Sequence, residues 1–452
     1  MQMNINKNAA PNDLQTYISM LLESGEICVV EREVDPEYEL AAVVSRSQKV
    51  NDRPLLFKKV KGSDFPVVAN MYGSFKRIGE FLGAKGNDLN SRWNEVLTTL
   101  PPHSYDYINT IDVSEELQYG NLSDLPHIKY REKDAAPYIT SGVFLAHDPD
   151  TGIPNLSFCR VMMQGDNSKM ACCIDAPHDL AKYQAKAEAR GKDLKVAILI
   201  GAPPSVFLAA VAALPIDQDE LQLAAHIVGG KLDMRPARSL DFMVPAATEI
   251  VIEATIRANE RTEDGPFGEY LGYYCEVNHG AYVLDILNIS WRKNACFQGL
   301  LCGSSEDLTL LAVSWGARIY SGLIDALPGI QEVTISAAPS ASIVKIDKQY
   351  EAHGRDVIDA VFKLKPQYNR MCIVVDKDID IHDLKMVWWS FLTRGSLDKR
   401  IHCYPDLGGV EGENFEYSGY LGVDATAPLS AIRKRAVTPG EADLNLNLYI
   451  TK

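Results

Sequence analysis

The chain has 452 residues, 46% of them hydrophobic and 23% charged, and a formal net charge of -15. That length is roughly three average domains with room for large cores, and the acidic balance argues against nucleic acid as a main partner, since phosphate binding needs clustered Lys and Arg. No apolar run approaches the ~20 residues that span a bilayer, the N-terminus lacks an apolar signal-peptide core, and the scattered cysteines suit reduced thiols, so a cytoplasmic enzyme without membrane attachment is expected.

Asn12 to Gly25 carries a capping start, helical apolar spacing and a glycine stop, which predicts a helix. Glu26 to Val30 reads as a strand, Asp35 to Gln48 as a second helix, and Pro54–Phe57 and Pro66–Ala69 as short strands. The stretch from Leu97 to Asp134 holds Pro101-Pro102 and few periodic runs, which marks a domain boundary. Strands dominate from Ala135 to Gly299: Asn155 to Met163, Met170 to Ile174, Leu194 to Gly201, Thr248 to Ile256, Ala281 to Trp291 and Ala295 to Gln298. Helices at Ala181–Arg190 and Glu220–Val228 interrupt them, a pattern consistent with a barrel carrying helical excursions. Leu308 to Tyr320 reads as a long connecting helix. The remainder alternates: strands at Val333–Ser336, Ser342–Ile346 and Cys372–Asp376, helices at Gly354–Phe362 and Asp383–Arg394. The expected class is α/β (α+β), with an N-terminal α/β region at 1–112, a β-rich domain at 113–306, a connecting helix at 307–330 and a C-terminal α/β domain at 331–452.

The chemistry concentrates in the β-rich part. Asp264-Gly-Pro-Phe-Gly-Glu269-Tyr-Leu-Gly-Tyr-Tyr274 sets two carboxylates five residues apart across a stiff turn with an aromatic flank. Carboxylates in such surroundings are candidates for proton transfer; an acidic hairpin turn is the alternative. Arg160, in Pro154-Asn155-Leu-Ser-Phe-Cys-Arg160, would be costly to bury unpaired, and Asp264 and Glu269 are natural partners. Residues five apart on a regular strand face opposite sides, so Asn155 and Arg160 can serve one ligand only across a bulge or from different levels. His178 follows Asp175-Ala-Pro177 at a strand-to-helix edge, and Glu220 opens a helix, where an acidic residue can simply complement the helix dipole. Cys172 and Cys173 are adjacent and read as packing residues.

In this order these residues resemble the UbiD family of decarboxylases. Asn155 and Arg160, then His178, Glu220 and the Asp264/Glu269 turn match the family's succession. Supporting matches are His147-Asp-Pro-Asp-Thr-Gly152, Met243-Val-Pro-Ala246, Glu249-Ile-Val-Ile-Glu253, Val374-Val-Asp-Lys-Asp-Ile-Asp380, Thr393-Arg394 and Gly422-Val-Asp-Ala-Thr426. The resemblance implies a split-barrel domain that binds prenylated FMN, supplied by a flavin prenyltransferase. It implies Mn2+ or Mg2+ held by Asn155, His178 and Glu220, and K+ at the cofactor phosphate. Ser157, Phe158, Arg160, Pro177 and Tyr420 would join those three in the cofactor region, and Arg160, Asp264 and Glu269 would be catalytic. The implied reaction is reversible non-oxidative decarboxylation, with CO2 as product, of an aromatic, heteroaromatic or α,β-unsaturated carboxylic acid. It runs through a covalent adduct with the cofactor, Glu269 donating the proton. A homo-oligomer, dimer or hexamer, is also implied. The chain departs from the family at Tyr420, within Ser418-Gly-Tyr420-Leu-Gly422, where many members carry a phosphate-binding Lys, and at Leu308, where a His is common. A flavin reductase on the same barrel, and a non-catalytic cofactor-carrying or assembly subunit, are the rival readings.

Overall fold

The computed structural model describes residues 11–84, 89–212, 214–336, 341–364, 369–405 and 419–431, with 436, 438, 439 and 449. Ser418 lies outside the described residues.

The first helix, Leu14–Glu23, is capped by Asp13, whose carboxylate accepts the Thr16 N–H at 2.7 Å. It buries Leu14, Tyr17, Ile18 and Leu21, one helical stripe. Helix Glu39–Val50 and the strands Cys28–Val30, Leu55–Phe57 and Val67–Ala69 follow as expected. Helices Phe75–Leu82 and Leu89–Thr98 fill a stretch to which the sequence reading assigned no element. Strand Phe297–Gln298 corrects that reading: it joins this N-terminal sheet, parallel to Val67–Ala69, and not the central one. After the strand ending at Arg292 the chain reverses at Asn294 (φ +57°), and the Phe297 N–H reaches Pro66 O at 2.8 Å.

The centre is a nine-stranded antiparallel sheet. Its hydrogen-bonded path runs Tyr138–Ile139, Val161–Met163, Lys169–Cys172, Asn278–Arg292, Ile250–Asp264, Leu194–Ile200, Val143–His147 and Pro154–Phe158, with Leu117–Gly120 beside Asn278–Arg292. Among the described pairings this path is open at both ends. Side chains alternate between two cores: Val196, Ile198 and Ile200 enter one with Ile250 and Ile252, while Ala197 and Leu199 enter the other with Val251. Both faces are therefore covered, which is why Val196–Ile200 reads as an unbroken apolar run. The chain joins this region early, since Ile108–Thr110 pairs in parallel with Leu232–Met234.

Helix Ser305–Ile324 leads to a five-stranded mixed sheet ordered Ile330–Ile335, Ala341–Ile346, Met371–Asp376, Tyr420–Asp424 and Ile401–Tyr404. It is more than a connector: Ala312, Ile319 and Leu323 pack into the core beneath that sheet with Val333 and Val344. No described helix is long and apolar enough to cross a membrane.

Candidate active site

The extended run read from Asn155 to Met163 is two strands. Pro154–Phe158 pairs with Val143–His147, and Val161–Met163 pairs with Lys169–Cys172 and Tyr138–Ile139. Arg160 occupies the break. Changing partners at Cys159-Arg160 removes the alternation that would oppose Asn155 and Arg160. The Arg160 side chain then meets both expected carboxylates. Its Nε and Nη2 donate to Asp264 Oδ2 at 2.9 and 2.6 Å, and Nη1 donates to Glu269 Oε1. Asp264 is fully buried, while the Arg160 and Glu269 side chains are 16% and 17% exposed, so the trio reaches from the core to an accessible edge. Burial works against the Arg160 charge, yet Cys173, Asp264 and Cys275 outweigh it and hold the guanidinium above its ordinary pKa.

The two carboxylates sit on different elements. Asp264 ends the 15-residue strand Ile250–Asp264. Gly265 (φ +97°) and a cis bond to Pro266 redirect the chain into a hairpin, Phe267–Gly268 paired with Tyr274–Cys275. The Glu269 N–H closes its loop on Tyr273 O at 2.8 Å. The aromatic flank divides: Phe267 is buried, with Arg160 Cζ 5.0 Å from its ring centroid, whereas Tyr273 and Tyr274 face solvent.

A second group gathers on strand Pro154–Phe158, against which helices Asp179–Ala189 and Glu220–Ile227 both pack. Glu220 does not serve the helix dipole alone. It is 3% exposed, accepts the Leu156 N–H at 3.1 Å, and lies 3.4 Å from Asn155 Nδ2. Burial pushes its carboxyl well above the usual range. Asp219 caps the helix instead, accepting the Leu221 and Gln222 N–H groups, and its Oδ2 accepts the Tyr107 hydroxyl at 2.8 Å. Ser157 donates to Asn155 Oδ1 at 2.8 Å. His178 immediately precedes helix Asp179–Ala189, and its Nδ1 is buried without a hydrogen-bond partner.

Phe158 and Tyr420 make contacts apart from these groups. Phe158 points away from Asn155 and Ser157 and packs edge-on against Phe207 at 4.9 Å, so alternation commits its ring to the core. Pro177 lies in an exposed turn. Tyr420 packs its ring against Phe362 at 5.2 Å in the C-terminal domain, which favours packing as its role. Cys172 is fully buried, while the Cys173 N–H turns back to Arg160 O at 3.4 Å. The sequence reading missed Cys275, 3.6 Å from Arg160 Nη2, and Asp219, whose place just before Glu220 was a capping signal. It also assigned no role to Glu306, which accepts the Asn70 and Tyr72 N–H groups at 2.7 and 2.9 Å and whose carboxyl burial pushes up to about 7.

The three regions match, in chain order, three domains of one carboxy-lyase. Residues 18–97 match the N-terminal domain, 109–305 the Rift-related domain and 309–423 the C-terminal domain of 3-octaprenyl-4-hydroxybenzoate carboxy-lyase. The chain belongs to the UbiD family and is a carboxy-lyase. Anhydromevalonate phosphate decarboxylase of Methanothermobacter thermautotrophicus is 31% identical over 422 residues, 90% of this chain and 96% of that relative. The UbiD-class enzyme HmfF from Pelotomaculum thermopropionicum, solved in complex with FMN, has a TM-score of 0.89 at 27% identity, covering 97% of this chain and 100% of that one. An evolved dimeric form of HmfF in complex with prFMN has a TM-score of 0.87 at 27% identity over the same shares.

Proposed function

We propose that this chain catalyses reversible non-oxidative decarboxylation of an aromatic, heteroaromatic or α,β-unsaturated carboxylic acid with prenylated FMN, Glu269 giving the proton to the carbon that loses CO2. The observation that carries this reading is Arg160 bonded to both Asp264 and Glu269. Asp264 Oδ2 takes two of the guanidinium N–H groups and Glu269 one. The fully buried carboxylate thus takes the larger share of the positive charge. Glu269, with one guanidinium contact and a partly exposed side chain, is the partner placed to exchange a proton with substrate. When bound, the cofactor takes up the electron pair left as CO2 departs. Arg160 fixes the direction of the Glu269 carboxyl, and Phe267 covers the guanidinium and keeps water from that side.

Asn155, Glu220 and His178 fit a divalent ion. Glu220 is a buried carboxylate that a cation would stabilise, His178 has a buried unpartnered nitrogen, and turning the Asn155 amide presents its oxygen. Among the described residues no three His, Cys, Asp and Glu side chains converge, and in this reading the Asn155 amide oxygen would be the third donor beside Glu220 and His178. Mn2+ or Mg2+ held there, with K+ nearby, would offset the phosphate charge of the cofactor. In this reading the central sheet curls as a split barrel around the flavin, and the C-terminal domain borders the substrate cleft. Leu384, Trp388 and Leu392 form an exposed stripe along helix Leu384–Thr393, which supports contact with a second copy.

The test is protein matured with prenylated FMN from a flavin prenyltransferase and offered aromatic, acrylic and phosphorylated unsaturated acids. CO2 release and solvent-hydrogen exchange at the α-carbon are expected. NAD(P)H oxidation with ordinary FMN, or no turnover of any acid, would overturn the reading.

A further inference from the structure

Cys275 lies directly across from Phe267 in the hairpin, so the two side chains leave the same face. Glu269 follows directly, its N–H continuing the ladder to Tyr273 O at 2.8 Å. All three meet one group: Arg160 Cζ stands over the Phe267 ring, Nη1 donates to Glu269, and Nη2 approaches Cys275 Sγ at 3.6 Å. The opposite face is clamped. Arg131 lies so close to Gly268 that a Cβ there would sit 2.0 Å from Arg131 Cδ. The Arg131 Nη2 is anchored on Cys302 O at 2.7 Å, and Asp134 Oδ1 accepts the Gly268 N–H at 2.9 Å. Held from behind, the hairpin cannot retreat from the guanidinium.

We infer that the Phe267–Cys275 pair is a positioning element that divides Arg160 between its two carboxylates and sets how tightly Glu269 holds its proton. A guanidinium has five N–H groups. Nε and one Nη2 hydrogen serve Asp264 Oδ2, the other Nη2 hydrogen faces Cys275, and Nη1 serves Glu269. Removing the sulfur frees one donor and one restraint on rotation, so more of the charge falls on Glu269. An ionised thiol would act in the same direction, because its negative charge would leave as well. Other charged or titratable groups around the trio include Cys173 beside Arg160 with Asp175 beyond it, Tyr138 beside Asp264, Tyr270 next to Glu269 in the chain, Arg131 and Asp134 behind the hairpin, and Cys302 and Asp307 around the start of the next helix. None of these groups has a described side-chain bond to Glu269, whose described side-chain partner is Arg160.

The catalytic consequence rests on Glu269 being the proton donor, but the test does not use turnover. The Glu269 carboxyl is titrated by NMR of isotope-labelled carboxyl carbons in the full chain, its signal assigned by its loss in Glu269→Gln. Cys275→Ala is expected to lower the titration midpoint by about one pH unit, a tenfold loss of proton affinity. Cys275→Ser, which keeps an acceptor, is expected to restore at least half of that. If the Ala variant does not fold, Cys275→Val fills the volume without a strong acceptor and reads the same quantity. An unchanged or raised midpoint, or a fall that Ser does not reverse, overturns the proposal. A null result here leaves the decarboxylase reading standing, since that reading is tested by CO2 release.

Discussion

Replacing Asp264 by Asn removes the buried charge against which Arg160 is held, at nearly constant volume. Asp264 is fully buried, and the Arg160 side chain is 16% exposed. Removing one partner of a buried pair costs about 3–5 kcal/mol because the other charge is stranded. Glu269 still holds Nη1, so the lower end applies, about 3 kcal/mol. A cycle of Asp264→Asn, Arg160→Met and the double variant isolates the pair, with an expected coupling of about 2 kcal/mol or more. Native-state hydrogen exchange along Ile250–Asp264 and Asn278–Arg292 reads the loss where it occurs, without assuming that three regions unfold together. Coupling below about 0.5 kcal/mol would refute the reasoning, since additive sites far apart behave that way.

Further outcomes follow from other sites. Glu306 has its carboxyl raised from 4.5 to about 7 by burial, so the folded state keeps a proton that the unfolded chain releases. Its contribution is complete below the unfolded value and is lost as pH rises through about 7. Urea titrations of Glu306→Gln should lack that decline and gain up to about 3 kcal/mol on wild type across the window; parallel curves would count against it. Glu220→Gln should weaken Mn2+ binding, followed by electron paramagnetic resonance, at least about tenfold. Equal affinity would remove Glu220 from the ligand set. Gly268→Ala drives a Cβ into Arg131 and should cost about 1–3 kcal/mol, with much of the loss recovered by adding Arg131→Ala; no recovery would mean that the contact is not the cause. Trp388→Glu should shift the sedimentation coefficient toward that of a smaller species, and an unchanged assembly would exclude that helix face.

Much of the site was legible because its chemistry follows chain order. Arg160, Asp264 and Glu269 were recognisable as partners from charge and context, and their contacts agree. Helices with capping signals emerged within a few residues of the expected bounds, as at Asp13 and Asp383. Choices among strand partners were not legible. The run from Asn155 to Met163 has one β-like composition throughout, yet it breaks at Arg160 because its halves hydrogen-bond to different neighbours. Phe297 joins the N-terminal sheet through a pairing 230 residues distant, which local pattern cannot encode. Cys275 could not be singled out because its place opposite Phe267 depends on the length of the loop after Glu269. Phe158 turns its ring toward Phe207 once the strand is placed, and Tyr420 makes a ring contact that a single sequence does not reveal.

The central claim is that Glu269 delivers the proton, and Glu269→Gln tests it most directly. Wild type and variant are matured with prenylated FMN, and bound cofactor and CO2 release are measured on the same samples. The expected result is equal cofactor content, with turnover lower by at least about a hundredfold. Turnover near the wild-type rate in the fully loaded variant would contradict the account.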